Sequence, residues 1–393
     1  MLSREAILES CQRVAGCGAH VSISDEGLER FVGQLETDWP KFAKQVSVDD
    51  TPVIVPEPWK DTKFQERLIF SDERTEVNWI VAHCLIEIGH GWRHQLQAHH
   101  NRGASQTITL GMFTSHQAGF TYTARHMADL TLEQVAGWFN LPLRVEATGA
   151  AHPLAVFAEQ LHRCLVGAGQ GLLAAGMADF FDVVDAVTPA APAPPPVGAD
   201  ASAATCPSAW PLISRLVGLC PAFNDREMYT DPKTHQAAPV LFMKKVQLAM
   251  AELYRRLDGW VLDMKKVQLA MAQLYRRFRR SDPGRFAFRD IDSLTVFVDN
   301  VLPCMLRVNG VLRVSPALTA RIEARQPLDP GSPEEMELRA CALVACSRLV
   351  ARLRERGVVS PTEADLDYYL WLMGKWDQYR DVERHYTPGT IYY

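Results

Sequence analysis

The sequence predicts a mainly α-helical fold with a few short strands. Two observations carry that expectation: helix-start signals precede long periodic segments, and strand-like runs are confined to 51–55 (TPVIV) and 67–70 (RLIF). Along the chain, Thr131-Leu132-Glu133-Gln134 supplies an N-cap with Gln at N3, which starts a helix, and 153–175 reads as a buried one. At 240–277, Val246, Met250, Leu253 and Leu257 recur at helical spacing, as do Val267, Met271, Leu274 and Phe278. Ser332-Pro333-Glu334-Glu335 places Ser at an N-cap, Pro at N1 and Glu at N3, and Gly357 supplies a stop. Ser360-Pro361-Thr362-Glu363 repeats that signal, so the spacing predicts a helical hairpin across 333–356 and 361–378.

At 393 residues, 47% hydrophobic and 22% charged, the chain is long enough for one large core or two smaller ones. Its 41 Lys and Arg against 46 Asp and Glu give a net charge of −5, which argues against a general binder of nucleic acid or anionic membrane and points to a small nucleotide at most. Nine scattered cysteines, odd in number and without a CxxC pair, read as reduced thiols. The opening MLSREAILES is charged within its first five residues and lacks an apolar run, and no stretch reaches the roughly eighteen apolar residues of a membrane span. Together these predict a cytoplasmic protein. Residues 185–207 (DAVTPAAPAPPPVGADASAATCP) are too rich in Ala, Pro and Gly to bury much apolar surface. They read as a linker or insertion between an N-terminal part, 1–184, and a C-terminal part, 208–393, both of which can contribute to one active site.

The most unusual feature is a repeat. VLFMKKVQLAMAELYRR (240–256) and VLDMKKVQLAMAQLYRR (261–277) agree at 15 of 17 positions with a period of 21, so two lysine pairs compete for one place in the fold. Further on, FRDIDSLTVFVDNVLP (288–303) embeds Asp292 and Asp299 in apolar surroundings, with Leu302-Pro303 read as a stop after Asp299. A carboxylate there is costly unless it is paired or working, and it can equally cap a helix or satisfy a lysine. Lys244 and Lys265 are its candidate partners. LDYYLWLMGKWDQYR (366–380) concentrates aromatics that either pack a core or stack a planar base. His90 and His94 stand i, i+4 apart, but Gly89 and Gly91 weaken a helix there and no acidic third ligand stands at a diagnostic spacing, so no metal is expected. The glycines of 165–171 form neither a phosphate loop nor a dinucleotide fingerprint.

Taken together, CPAFNDRE (220–227), FMKKVQLAMAEL (242–253), RDIDSLTVFVDNVLP (289–303), EMELRACAL (335–343), LDYYLW (366–371) and the IYY at 391–393 resemble the queuosine salvage family. The N-terminal part is similar more loosely, through EVNWIVAHCLIEIGHGWR (76–93) and LTLEQVAGWF (130–139), and departs from the family pattern at 86–90. The resemblance implies a helical fold related to DNA glycosylases, no metal or other cofactor, and hydrolysis of the N-glycosidic bond of queuosine 5′-monophosphate to queuine and ribose 5-phosphate, in service of tRNA queuosine modification. It assigns Asp299 to stabilising the oxocarbenium-like sugar and handling the attacking water, and a lysine of the repeat to holding Asp299 ionised. Phe297, Asp367 and Trp371 are the expected contacts of the base, and Arg339, His385 and Tyr392 those of the phosphate.

The two lysines are separated by different criteria. The first copy keeps the family-like flanks, with Phe242 before and Glu252 after its lysines, whereas Lys265 lies 34 residues from Asp299 against 55 for Lys244. Asp258-Gly259 breaks the helix between the copies, so the spare one is expected to loop out. Two other readings stay open: a glycosidase of the same fold acting on another nucleoside or nucleic-acid base, and a non-catalytic member that binds a base without cleaving it.

Overall fold

The computed structural model describes residues 2–47, 70, 72–188, 207–258, 286, 288–358 and 361–393. In chain order the helices before the linker are α1 (Arg4–Cys17), α2 (Asp25–Ser47), α3 (Glu73–Leu85), α4 (Arg93–His100), α5 (Ala104–Gln117), α6 (Ala124–Ala128), α7 (Leu132–Phe139), α8 (Ala155–Ala174) and α9 (Phe180–Val187). After it come α10 (Ala209–Leu219), α11 (Lys244–Asp258), α12 (Val301–Val308), α13 (Pro316–Glu323), α14 (Pro333–Glu355), α15 (Glu363–Met373) and α16 (Asp377–Arg380). Strands are short: β1 (Val21–Ile23) pairs antiparallel with β4 (Leu312–Val314), and β2 (Arg226–Thr230) with β3 (Ala237–Leu241). The mainly α expectation is borne out. The strand signal at 51–55, all of 67–70 except Phe70, and the second copy of the repeat lie outside the described residues.

The caps explain where helices begin. Thr131 and Gln134 form the reciprocal capping box that opens α7, and the Ser332 hydroxyl accepts the Glu335 N–H at the start of α14. The next helix departs from expectation. It starts at Glu363, because Thr362 and Asp365 cap each other's backbone, and it ends at Met373, with only the short α16 beyond. Pro303 is likewise no stop: it sits in the first turn of α12, where a missing N–H costs nothing. Nor does the linker begin at 185. The apolar Phe180, Val183 and Val184 are buried and carry α9 through Val187.

One continuous hydrophobic core contains residues from both sides of the 185–207 stretch. Its axis is α14, buried at every position from Glu335 to Cys346, as a helix surrounded by neighbours must be. Around it pack α1, α2, α12, α15 and β1, while α11 lies against α3 and α10. That second contact brings residues near 85–90 to the start of α11 and to Asp299. No described helix is long and apolar enough to cross a membrane.

Candidate active site

Asp299 lies in the turn that enters α12 and is only 3% exposed. Its two carboxylate oxygens have different occupations. Oδ1 accepts the backbone N–H of Val301 at 2.6 Å and that of Leu302 at 3.4 Å, so it caps the helix. Oδ2 faces His90 Nδ1 at 3.3 Å and Lys244 Nζ at 3.9 Å. Neither contact is a tight hydrogen bond. Burial by itself pushes the carboxyl upward, but His90, Lys244 and the Val301 N–H outweigh it and hold Asp299 below the ordinary aspartate range. Burial, reinforced by Lys244, lowers His90 to about 4, which keeps the imidazole neutral near pH 7 and leaves Lys244 as the cation of the group.

His90 reaches this place through two glycines. Gly89 adopts φ 96°, a left-handed conformation natural to glycine, and a Cβ on Gly91 would approach the Thr387 carbonyl oxygen to 2.9 Å. The short 3₁₀ turn His90–Trp92 therefore nestles against the segment 385–393. Beside it opens a cavity of about 210 Å³, walled in part by His90, Arg93, Asn300, Arg384 and His385. His90 Nδ1, Gln95 Oε1, Asn300 Oδ1 and Arg384 Nε are buried around it without a hydrogen-bond partner among the described residues. Unpaired polar atoms converging on a cavity next to a buried carboxylate are what a polar ligand or a reacting water would satisfy.

The remaining expected residues divide. Lys244 meets Asp299, and Lys265 lies outside the described residues. His385 lines the cavity, with Nε2 3.2 Å from the Tyr393 hydroxyl and burial lowering its pKa to about 3. Arg339, expected at a phosphate, is instead 1% exposed and fully engaged. It makes a bidentate pair with Asp225 at 3.0 and 2.6 Å, lies 3.5 Å from Glu335, and stacks over the rings of Phe242 at 3.9 Å and Tyr393 at 4.6 Å. Asp367 Oδ1 accepts the Phe297 N–H at 2.8 Å, and the Phe297 side chain is buried. Trp371 stacks on Tyr368 and carries Lys375 over its face; Tyr392, Phe297, Asp367 and Trp371 are absent from the cavity wall, and Asp299 and Lys244 lie behind it, next to the lining residues Asn300 and His90. At the end of the chain Tyr393 is 1% exposed, while Ile391 and Tyr392 are half-buried.

Sequence reading missed His90, Asn300 and Arg384. The usable signal for His90 was the glycine on each side of it, which reads as a helix breaker but equally marks a side chain delivered on a tight turn. The Asn78-Trp79 pair of the N-terminal part lies elsewhere: Asn78 accepts the Phe181 N–H, and Trp79 helps line a separate cavity of about 130 Å³ with His116, Phe120 and Tyr122.

Comparison with known proteins adds chemistry to this geometry. Residues 260–393 match the family model described as queuosine salvage protein. Three curated relatives carry the name queuosine 5′-phosphate N-glycosylase/hydrolase. The Sphaerobacter thermophilus protein is 31% identical over 194 residues, 49% of this chain and 50% of its own length. The Mus musculus protein is 27% identical over 171 residues, 42% of each chain, and the Schizosaccharomyces pombe protein 29% over 180 residues, 46% of this chain and 41% of its own. The chain thus spans about half the length, or less, of the curated relatives it matches. The family resemblance is borne out by these matches. The family match begins at residue 260 and so takes in the second copy of the repeat, whereas among the described residues the first copy packs beside Asp299.

Proposed function

We propose that this chain, which carries the queuosine salvage signature over 260–393, hydrolyses the N-glycosidic bond of queuosine 5′-monophosphate and releases queuine and ribose 5-phosphate. The observation that carries the proposal is the half-committed carboxylate of Asp299: one oxygen caps α12, and the other faces Lys244 and His90 beside a cavity with unpaired polar walls. As the C1′–N bond lengthens, positive charge develops on the sugar, and an ionised carboxylate in a dry site opposes it far more strongly than it would in water. Water supplies the oxygen that bonds C1′, and its proton passes by way of Asp299 to the departing base nitrogen, so the reaction balances without a cofactor. Lys244 favours the ionised form of Asp299 before the proton arrives and after it has left.

In this reading the substrate is a free nucleotide in the cytoplasm, and the released queuine supplies tRNA modification. The net charge of −5 supports a small substrate over a polymer. Incubating the purified protein with queuosine 5′-monophosphate and following queuine by chromatography tests the proposal. Stoichiometric release of queuine is expected; a folded, monodisperse sample that releases none overturns it.

A further inference from the structure

Lys245, next to the lysine that faces Asp299, is the most costly residue of α11. It is 1% exposed in the first turn of a helix, where the backbone dipole already disfavours a cation. Among the described residues no carboxylate lies within ion-pair distance of it. Its ammonium instead donates to two backbone carbonyls, Leu85 at 2.6 Å and Ile391 at 2.7 Å. A methionine would fill the same volume without the desolvation cost of a buried charge, so the cation is retained for what it holds.

What it holds is the frame of the candidate site. Leu85 closes α3 five residues before His90, and Ile391 belongs to the segment 385–393 against which the His90 turn is built. The two are tied at further points: the Gly89 N–H donates to the Tyr393 carbonyl at 3.3 Å, and Gln160 accepts from Trp92 Nε1 while donating to the carbonyls of Pro388 and Thr390. Asn300, next to Asp299, donates to the His385 carbonyl at 3.2 Å. The Lys245 ammonium stands where α3, α11 and this strap meet. Removing it takes the Lys245 donor from the buried Leu85 carbonyl and the part-buried Ile391 carbonyl and unties the turn that carries His90.

We propose that Lys245 is a positioning residue, whose ammonium pins the Leu85 and Ile391 carbonyls and thereby fixes both the His90 turn and the neighbouring Lys244 against Asp299. The inference rests on the reading of the Asp299 centre as a hydrolytic site. Small displacements there are expensive, since a misplacement of about 1 Å costs a reaction roughly a hundredfold. Burial dominates the charge state of His90, and the charged groups that act on it are Lys244, Asp299, Glu87 and Arg384; Lys244 adjoins Lys245 in the chain, and Glu87 follows the Leu85 that Lys245 holds.

The test compares full-length wild type with K245M and K245R. Steady-state hydrolysis of queuosine 5′-monophosphate is measured alongside an NMR titration of the histidine rings, with the His90 signal assigned by its loss in H90Q. K245M is expected to lower kcat by roughly 30-fold, to change KM by less than about threefold, and to raise the His90 pKa from about 4 by about one unit as the turn loosens. K245R, which can donate again to both carbonyls, is expected to recover most of the lost rate. A folded K245M with wild-type kcat and an unchanged His90 titration overturns the proposal. Should K245M not fold, K245Q, which keeps an uncharged NH2 donor, is read against the same two criteria. If the wild type itself releases no queuine, the hydrolase reading fails, and the His90 titration still decides the role of Lys245.

Discussion

Two buried charge clusters lie close together in this molecule, and they differ in how completely their members are satisfied. Around Arg339 every partner is in place: Asp225 is bidentate, Glu335 stands beside it, the Tyr393 hydroxyl donates to Glu335 at 2.9 Å, and aromatic rings cover the guanidinium. Around Asp299 Oδ2 the contacts are loose, at 3.3 and 3.9 Å, and polar atoms nearby have no partner among the described residues. A saturated cluster has no capacity left for a ligand and acts on stability. An unsaturated one keeps bonding capacity, and here the partner His90 and the adjacent Asn300 line a cavity behind which Asp299 lies. Sequence composition cannot separate the two, because each is a charged side chain in an apolar run; the completeness of its bonding does.

Substitutions break the comparison in graded fashion. The largest effect is expected from D299N, which removes the charge but keeps an acceptor for the α12 cap: kcat falls by roughly a thousandfold with the thermal melting curve little changed. Activity within tenfold of wild type would remove Asp299 from the reaction. D225N should do the reverse. It strands a buried guanidinium and costs about 3–5 kcal/mol in denaturant unfolding, with turnover of the remaining folded protein largely retained. Third, K244M is expected to lower kcat by about a hundredfold and K265M by less than about twofold, measured on the same substrate. Equal losses in the two variants would contradict the assignment of the first copy to the site. The smallest effect is in pH dependence. His90 and His385 are held neutral in the fold, at about 4 and about 3, well below the ordinary imidazole value. Between those values and about pH 6.5 the unfolded chain binds protons that the native one refuses. Stability is therefore fully present above about pH 6.5 and declines on acidification by up to about 1.4 kcal/mol per pH unit per histidine. H90Q should remove one histidine's share of that slope in unfolding curves recorded from pH 7 to 4.5; an unchanged slope would show that His90 does not contribute.

Much of this is legible in the amino-acid sequence. Asp299 stood out because Phe297, Val298 and Leu302 leave a carboxylate nowhere to be solvated, and the helical caps at Thr131 and Ser332 are local signals that depend only on neighbouring residues. The failures share a physical cause. Arg339 read as a phosphate ligand because its partner Asp225 lies 114 residues upstream, in a segment that contributes no periodicity. His90 comes from the far side of the linker, and nothing within its own helix turn signals a carboxylate 209 residues away. The lysine pair was recognised as a unit, but only three-dimensional packing shows that its two members point to different tasks, one to Asp299 and one to carbonyl oxygens.

The ring of Phe242 under Arg339 bears on the repeat in another way. Every buried side chain described in the seated helix, including Val246, Gln247, Ala249, Met250 and Leu253, has an identical counterpart 21 residues later, so the interior of the seat cannot distinguish the copies. Phe242, two residues before the helix, can. Seating the second copy would put Asp263 where Phe242 now lies, adding a third carboxylate to a guanidinium already matched by Asp225 and Glu335 and exchanging a stacked ring for a desolvated charge. A single aromatic residue thus works as a register key, allowing a tandem duplication to persist in the chain without two threadings of the same polypeptide competing for one fold.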